Sequence, residues 1–358
     1  ATHQVGAAGR HVRIFLAACD VAIGISHHGA QVFPGNVELF GNHLGDRERA
    51  FRLIAEAHRA GADAVKFQCW AEDKMVMSDH VIHGTAWNGI SMRELYRQAW
   101  TPWEWFPQLF DVANDIGIEC FASVFDHESL AYLESLGCPR YKIASFEITD
   151  LPLIQAVGAT GKPIIISTGM ATQHEVGRAW DLAESLTDDV TLLRCTSAYP
   201  ATAASANFNT MLDMQDFYYP IGLSDHTLGS AVAIAATALG ATMIEKHLTL
   251  KRSDGGPDAG FSSEPYEFKA MVAACREAAS AIGEVTYGPT EAEKPSIQFR
   301  RSLYWARSMP AGSVVFSDDL RTARPALGAS PADLSKFLGR RLVSPVSRGD
   351  PALLDDVD

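Results

Sequence analysis

The chain is short of positive charge, sparing with cysteine and without a long apolar run, and each shortage removes a class of protein. Lys and Arg number 30 against 43 Asp and Glu, for a formal net charge of −13. No basic stripe is present to release counterions from a phosphate backbone, so nucleic acid is excluded as a partner. An anionic small molecule is not, because a few local lysines reverse the field inside one cleft. The six cysteines (Cys19, Cys69, Cys120, Cys138, Cys195, Cys275) include no Cys-x-x-Cys pair. They fit buried thiols in a reducing compartment. No apolar run reaches membrane-spanning length. Leu16-Ala17-Ala18-Cys19 looks like a lipoprotein cleavage site, but the apolar stretch before it, Ile14-Phe15-Leu16, is too short for a signal peptide. The expectation is a cytoplasmic protein with no membrane partner. A glycine fingerprint after the first strand is also missing, which counts against a doubly wound dinucleotide-binding sheet.

What is present is a regular alternation of short apolar runs and amphipathic stretches over 358 residues, 47 % hydrophobic and 20 % charged. Asp46 can cap a helix whose inner face is Ala50, Phe51, Leu53, Ile54 and Ala57, closed by Gly61. Strands are expected at 64–68, 118–124, 141–144, 163–167, 190–195, 221–224 and 241–247. Helices are expected at 106–116, 129–136, 151–159, 176–186, 229–239 and 265–282. With 37–40 as the first strand, this makes eight βα units over about 250 residues, the size of a (β/α)₈ TIM barrel. After Tyr287-Gly288-Pro289 the pattern breaks into short strand signals separated by turn residues, a small β-rich domain. The domain reading is an extension at 1–36, a barrel at 37–285, a linker at 286–299 and the small domain at 300–358. The extension holds two strand-like runs, 12–17 and 21–25, which suit a β-hairpin at the barrel base or an extension without fixed structure.

Every expected strand ends in at least one polar residue: Glu38, Lys66 with Gln68, Ser123, Lys142, Ser167, Ser197 with Tyr199, Ser224 with His226, and Glu245 with His247. Strand ends of a parallel barrel meet at one mouth, where active sites sit. Two lysines and several serines offer point charges and hydroxyl donors for a phosphate or carboxylate. His226 and His247, with Glu245 beside them, suit a divalent metal with open positions. Plain alternatives stand beside these readings. A strand-end histidine is often only hydrogen-bonded, and Lys66 and Lys142 could be neutralised by Glu147 or Glu245. Asn42-His43 is either a loop cap or a substrate contact. His27, His28, His80 and His83 read as surface residues. Cys195 reads as core, since no His or Asp partner is evident.

Residues 61–68, 141–145, 167–170, 195–200, 222–227 and 245–247 closely resemble the sialic-acid synthase family. The C-terminal block, with Arg301-Ser302-Leu303 and Arg324-Pro325, resembles that family's antifreeze-like (SAF, β-clip) domain. The likeness spans 37–358. It implies a transferase that condenses phosphoenolpyruvate with an N-acyl aminosugar, releasing phosphate and a nonulosonic acid. By matching motif, His226 and His247 would hold Mn²⁺, or Mg²⁺ or Co²⁺. Lys66, Ser123, Lys142, Ser145, Ser167 and Ser224 would surround phosphoenolpyruvate, with Ser197 close by. Glu38, Gln68, Glu147, Tyr199 and Asp258 would face the sugar. Arg324 would reach the N-acyl group from a partner subunit, making a domain-swapped homodimer. Glu38 or Glu147 would manage the water and sugar protons.

Within the family, Glu94-Leu95-Tyr96, the 101–105 and 143–147 strings and the 252–262 loop resemble the pseudaminic acid synthases. That subgroup implies 2,4-diacetamido-2,4,6-trideoxyaltrose as the sugar. N-acetylneuraminate and legionaminate synthases are the alternatives, with another metal-dependent barrel aldolase or synthase, or a carbohydrate-binding protein, further off. Phe40 stands where the family has glycine, and Val124 where proline is common.

Overall fold

The computed structural model describes strand residues 12–17 and 20–25, and residues 41–71 and 74–358. Strands β1 (Val12–Ala17) and β2 (Asp20–Ile25) form an antiparallel hairpin in register Val12↔Ile25 to Ala17↔Asp20. Next come α1 (Arg47–Arg59), β3 (Ala64–Cys69), α2 (Met92–Ala99), α3 (Phe106–Ile116), β4 (Glu119–Val124), α4 (His127–Ser135) and β5 (Tyr141–Ile143). They are followed by α5 (Leu151–Gly158), β6 (Ile164–Ser167), α6 (Gln173–Glu184), β7 (Val190–Cys195) and α7 (Phe208–Gln215). The last elements of this unit are β8 (Ile221–Asp225), α8 (Ala231–Ala238), β9 (Ile244–Lys246) and α9 (Pro265–Ser280).

Strands β3 to β9 pair in parallel with their sequence neighbours, seven parallel strands with helices between them, a curled TIM-like sheet. Such strands are covered on both faces, which is why they read as near-continuous apolar runs. Every residue of β3, β5, β6, β8 and β9 is buried. The eighth strand expected at 37–40 lies outside the described residues. The hairpin pairs with the sheet through Val21↔Val65, antiparallel, and both its strands lie against β9.

Local chemistry sets the element ends. Asp46 accepts from the amides of Glu48 and Arg49 and starts α1. Thr172 and Glu175 form a capping box on α6. Gly117, at φ 79°, closes α3 in the left-handed conformation that costs glycine least. Two helices, α2 and α7, went unread in the sequence. Each is only 8 residues long and sits inside a long excursion, so few turns of periodicity are available.

The chain divides into two compact units, Ala1–Gly283 and Glu284–Asp358. The second packs Leu303, Trp305, Met309, Val315, Leu320, Phe337, Leu342, Val346 and Ala352 around the antiparallel pair β10 (Ser302–Trp305) and β11 (Leu320–Ala323).

Candidate active site

Parallel strands present alternate residues to the barrel interior, so side chains two apart on one strand, and in register on the next, share a face. Ser224 is the register partner of Glu245, and Ser123 that of both Gln68 and Lys142. This brings five of the expected residues into one network. Lys66 Nζ donates to Glu245 Oε2 at 2.8 Å, and Ser224 Oγ donates to Oε1 at 2.8 Å. Lys142 Nζ lies 3.5 Å from the same Oε1 and donates to Ser167 Oγ at 2.6 Å. All of these side chains are buried. Burial disfavours a carboxylate, but the charges of Lys142 and Lys66, with the hydrogen bonds from Lys66 and Ser224, hold Glu245 down at about 2. One carboxylate between two ammonium groups leaves a positive centre suited to an anion. Ser123 Oγ, fully buried beside it, has no hydrogen-bond partner among the described residues. An orphaned hydroxyl of this kind calls for a bound group.

His226 and His247 follow β8 and β9 directly, and their ring centroids stand 5.2 Å apart. His226 Nδ1 lies 3.1 Å from the Thr196 carbonyl, which can only accept, so Nδ1 carries a proton and Nε2 is the nitrogen with a lone pair when the ring is neutral. His247 Nδ1 lies 3.1 Å from Asp258 Oδ2, which places a carboxylate beside the second ring. Burial and the charges of His226, Lys66 and Lys246 hold His247 well below its ordinary value. Burial opposes charge on His226 too, but Cys195, Asp225 and the Thr196 carbonyl outweigh it and raise the group. The donor set therefore fits a divalent ion: two tethered imidazoles, with room left for other ligands. Among the described residues no group of three or more His, Cys, Asp or Glu forms a metal cluster.

Cys195 corrects the expectation that it has no partner. Its Sγ lies 3.9 Å from His226 Nδ1, and despite burial the thiol falls to about 7 because His226 bonds to it and carries charge beside it. Neither partner is visible in sequence, because 31 positions separate them.

A cavity of about 400 Å³ opens over this network. Gln68, Lys142, Ser145, Ser167, Tyr199, Ser224, His226, Glu245, His247 and Asp258 line it. Ser197 Oγ is 3.8 Å from Cys195 Sγ. Gly169 N–H donates to Ser145 Oγ at 3.1 Å, and a Cβ at Gly169 would collide with the hydroxyls of Ser145 and Ser197. Glu147 lies on the turn after β5, near enough to Tyr96 that its charge, after burial, helps push that phenol up to about 12. Glu38 lies outside the described residues. Arg324 is exposed on the second unit, immediately after β11.

Sequence reasoning missed the aromatic wall. Trp87 donates from Nε1 to the Pro257 carbonyl at 2.8 Å, and its ring lies 5.0 Å from Tyr199, which is 4.5 Å from His226. Phe261 closes against His247 at 4.9 Å. Ile82, Thr85, Met92, Leu95, Tyr96 and Phe125, with Ala144 and Phe146, complete the lining. The 74–91 excursion has no periodicity to read. Its one signal is large apolar residues inside a glycine-punctuated loop.

Two family profiles match: NeuB family over residues 53–287 and SAF domain over 300–358. The chain belongs to the NeuB family. Pseudaminic acid synthase of Helicobacter pylori is 38 % identical over 90 % of the NeuB-family chain and 96 % of its own length. N,N'-diacetyllegionaminic acid synthase of Legionella pneumophila is 36 % identical over 88 % of this chain and 92 % of its own. Among solved structures, the N-acetylneuraminic acid synthetase of Leptospira borgpetersenii superposes with a TM-score of 0.67 at 30 % identity, covering 74 % of this chain and 89 % of that one. Such relatives make this protein an enzyme, a synthase.

Proposed function

We propose that the enzyme condenses phosphoenolpyruvate with 2,4-diacetamido-2,4,6-trideoxyaltrose, giving pseudaminic acid and phosphate. The observation that carries the reading is the Lys66–Glu245–Lys142 seat, positive and lined by hydroxyls, directly beside the tethered pair His226 and His247. The names of the relatives at 36–38 % identity supply the substrate class.

A divalent ion (Mn²⁺, Mg²⁺ or Co²⁺) held by His226 and His247 would supply Lewis-acid polarisation of the sugar's open-chain aldehyde. The rest falls to the chain. Lys66 and Lys142 hold the phosphate and carboxylate of phosphoenolpyruvate, with Ser123, Ser145, Ser167 and Ser197 as donors, while Ser224 donates to Glu245 and keeps that carboxylate in place. This aims C3 at the aldehyde carbon. As the carbon–carbon bond forms, C2 becomes electron-poor, water adds there, and the tetrahedral carbon expels phosphate. Glu245, engaged by two hydrogen-bond donors and the Lys142 charge and held near 2, is an acceptor and counterion at neutral pH. Proton handling then falls to Glu38 or Glu147. Gln68, Tyr199, Asp258 and the aromatic wall face the sugar.

Two copies complete the assembly. Residues 284–300 are exposed throughout, with Val285, Tyr287 and Phe299 at 92, 95 and 62 %. Apolar side chains so open on a largely polar segment fit a surface covered by a second subunit, from which Arg324 would reach the N-acyl group. The reducing setting its free thiols favour is the cytoplasm. No helix among the described residues is long and apolar enough to cross a membrane.

The legionaminate reading stands second, on the 36 % identity to such a synthase. The reading is tested by phosphate release from phosphoenolpyruvate after chelation and metal return. Release should stop with chelator, return with Mn²⁺, and be absent in Lys142→Met. Full release in chelator would remove the metal from the account.

A further inference from the structure

Behind the histidine pair, on the opposite face of the same two strands, lies an ion pair that the reaction does not use. Asp225 and Lys246 are register partners on β8 and β9, each next in sequence to one of the imidazoles. Since His226 and His247 face the cavity, strand alternation turns Asp225 and Lys246 outward, into the layer between sheet and helices. Both side chains are only 1 % exposed, with Nζ–Oδ2 at 2.5 Å. Cys275 of α9 is close enough to feel both charges, as His226 feels that of Asp225 and His247 that of Lys246, and Cys275 is itself bonded to Thr237 of α8.

The bonds around this pair close into a ring. Asp225 Oδ1 accepts from Thr227 N at 2.9 Å and from Thr227 Oγ1 at 2.7 Å. Lys246 Nζ donates to Asp225 Oδ2 and to the Thr227 carbonyl, both at 2.5 Å. The residues on either side of His226 are thus tied to each other and to the residue preceding His247. A buried ion pair is a poor source of net stability, because desolvation offsets its attraction and an apolar pair of similar volume does as well. What such a pair supplies is a fixed geometry.

We propose that Asp225, Thr227 and Lys246 form a clamp that sets the spacing and orientation of the His226 and His247 imidazoles for a divalent cation. They are positioning residues, acting through the backbone at 225–227 and 246–247. The inference rests on the metal reading of the two histidines, and the test separates the two.

The experiment is a Mn²⁺ titration followed by electron paramagnetic resonance, with thermal melting in chelator run in parallel, on the full chain. The clamp predicts that Asp225→Leu combined with Lys246→Met melts at or above the wild-type temperature yet binds Mn²⁺ roughly 10- to 100-fold more weakly. Thr227→Val, which removes one hydroxyl at constant volume, should weaken Mn²⁺ by about threefold with little change in melting. Wild-type Mn²⁺ affinity in both variants would overturn the clamp while leaving the histidine site intact. Failure of the wild-type chain to bind Mn²⁺ would overturn the metal site and the clamp with it.

Discussion

At the scale of single residues, Glu245 decides how the site works. It is a fully buried carboxylate kept ionised by two lysines, so its removal leaves two buried ammonium groups with less compensation. Glu245→Gln should therefore cost about 3 kcal/mol at neutral pH. The sign with pH follows from its depressed value. The folded protein holds the charge down to about 2, whereas an unfolded chain protonates near its ordinary 4.5. Its stabilisation is present above 4.5 and is lost as pH falls from there through 2. Urea unfolding across that window should show a steep acid loss in the wild type and a flatter one in Glu245→Gln. Parallel profiles would contradict the assignment. The sequence offered Glu147 and Glu245 alike as counterions, and only strand register could bring Glu245 to both lysines.

At the scale of elements, the turn leaving β6 is built around an absent side chain. Gly169 approaches Ser145 and Ser197 so closely that a Cβ would strike both hydroxyls, one of them at 2.7 Å. Gly169→Ala should displace them and lower kcat/KM for phosphoenolpyruvate roughly 100-fold, with a smaller loss in melting temperature. An unchanged kcat/KM would take the serines out of the anion seat. This cradle joins positions 24 and 28 residues apart, so nothing local in the sequence could reveal it. The strands themselves were legible. The residues of β7 were read at their observed bounds, as were those of α3, because apolar runs and a clean C-terminal glycine marked them. The 74–91 excursion, which carries Trp87 to the cavity, was not, since loops hold their shape by contacts distant in sequence.

At the scale of the whole molecule, the question is what the second unit contributes. Its likeness to a SAF domain was legible from Arg301-Ser302-Leu303 and Arg324-Pro325, and the matching profile covers the same residues. If Arg324 serves the sugar in trans, Arg324→Ala should raise the KM for the sugar while leaving that for phosphoenolpyruvate nearly unchanged. Mixing Arg324→Ala with Lys142→Met subunits should also restore activity, since each mixed dimer holds one site with both groups intact. Random pairing gives about one quarter of wild-type activity. No recovery on mixing would place Arg324 in its own subunit's site or outside the site altogether.

The central claim is the pairing of phosphoenolpyruvate with one sugar, and the direct measurement is phosphate release with Mn²⁺ across a panel of aminosugars. The account predicts release with 2,4-diacetamido-2,4,6-trideoxyaltrose, abolished by chelator, and little or none with N-acetylmannosamine or the legionaminic acid precursor. Release with either of those sugars in preference would contradict it and move the enzyme to the neuraminate or legionaminate branch of its family.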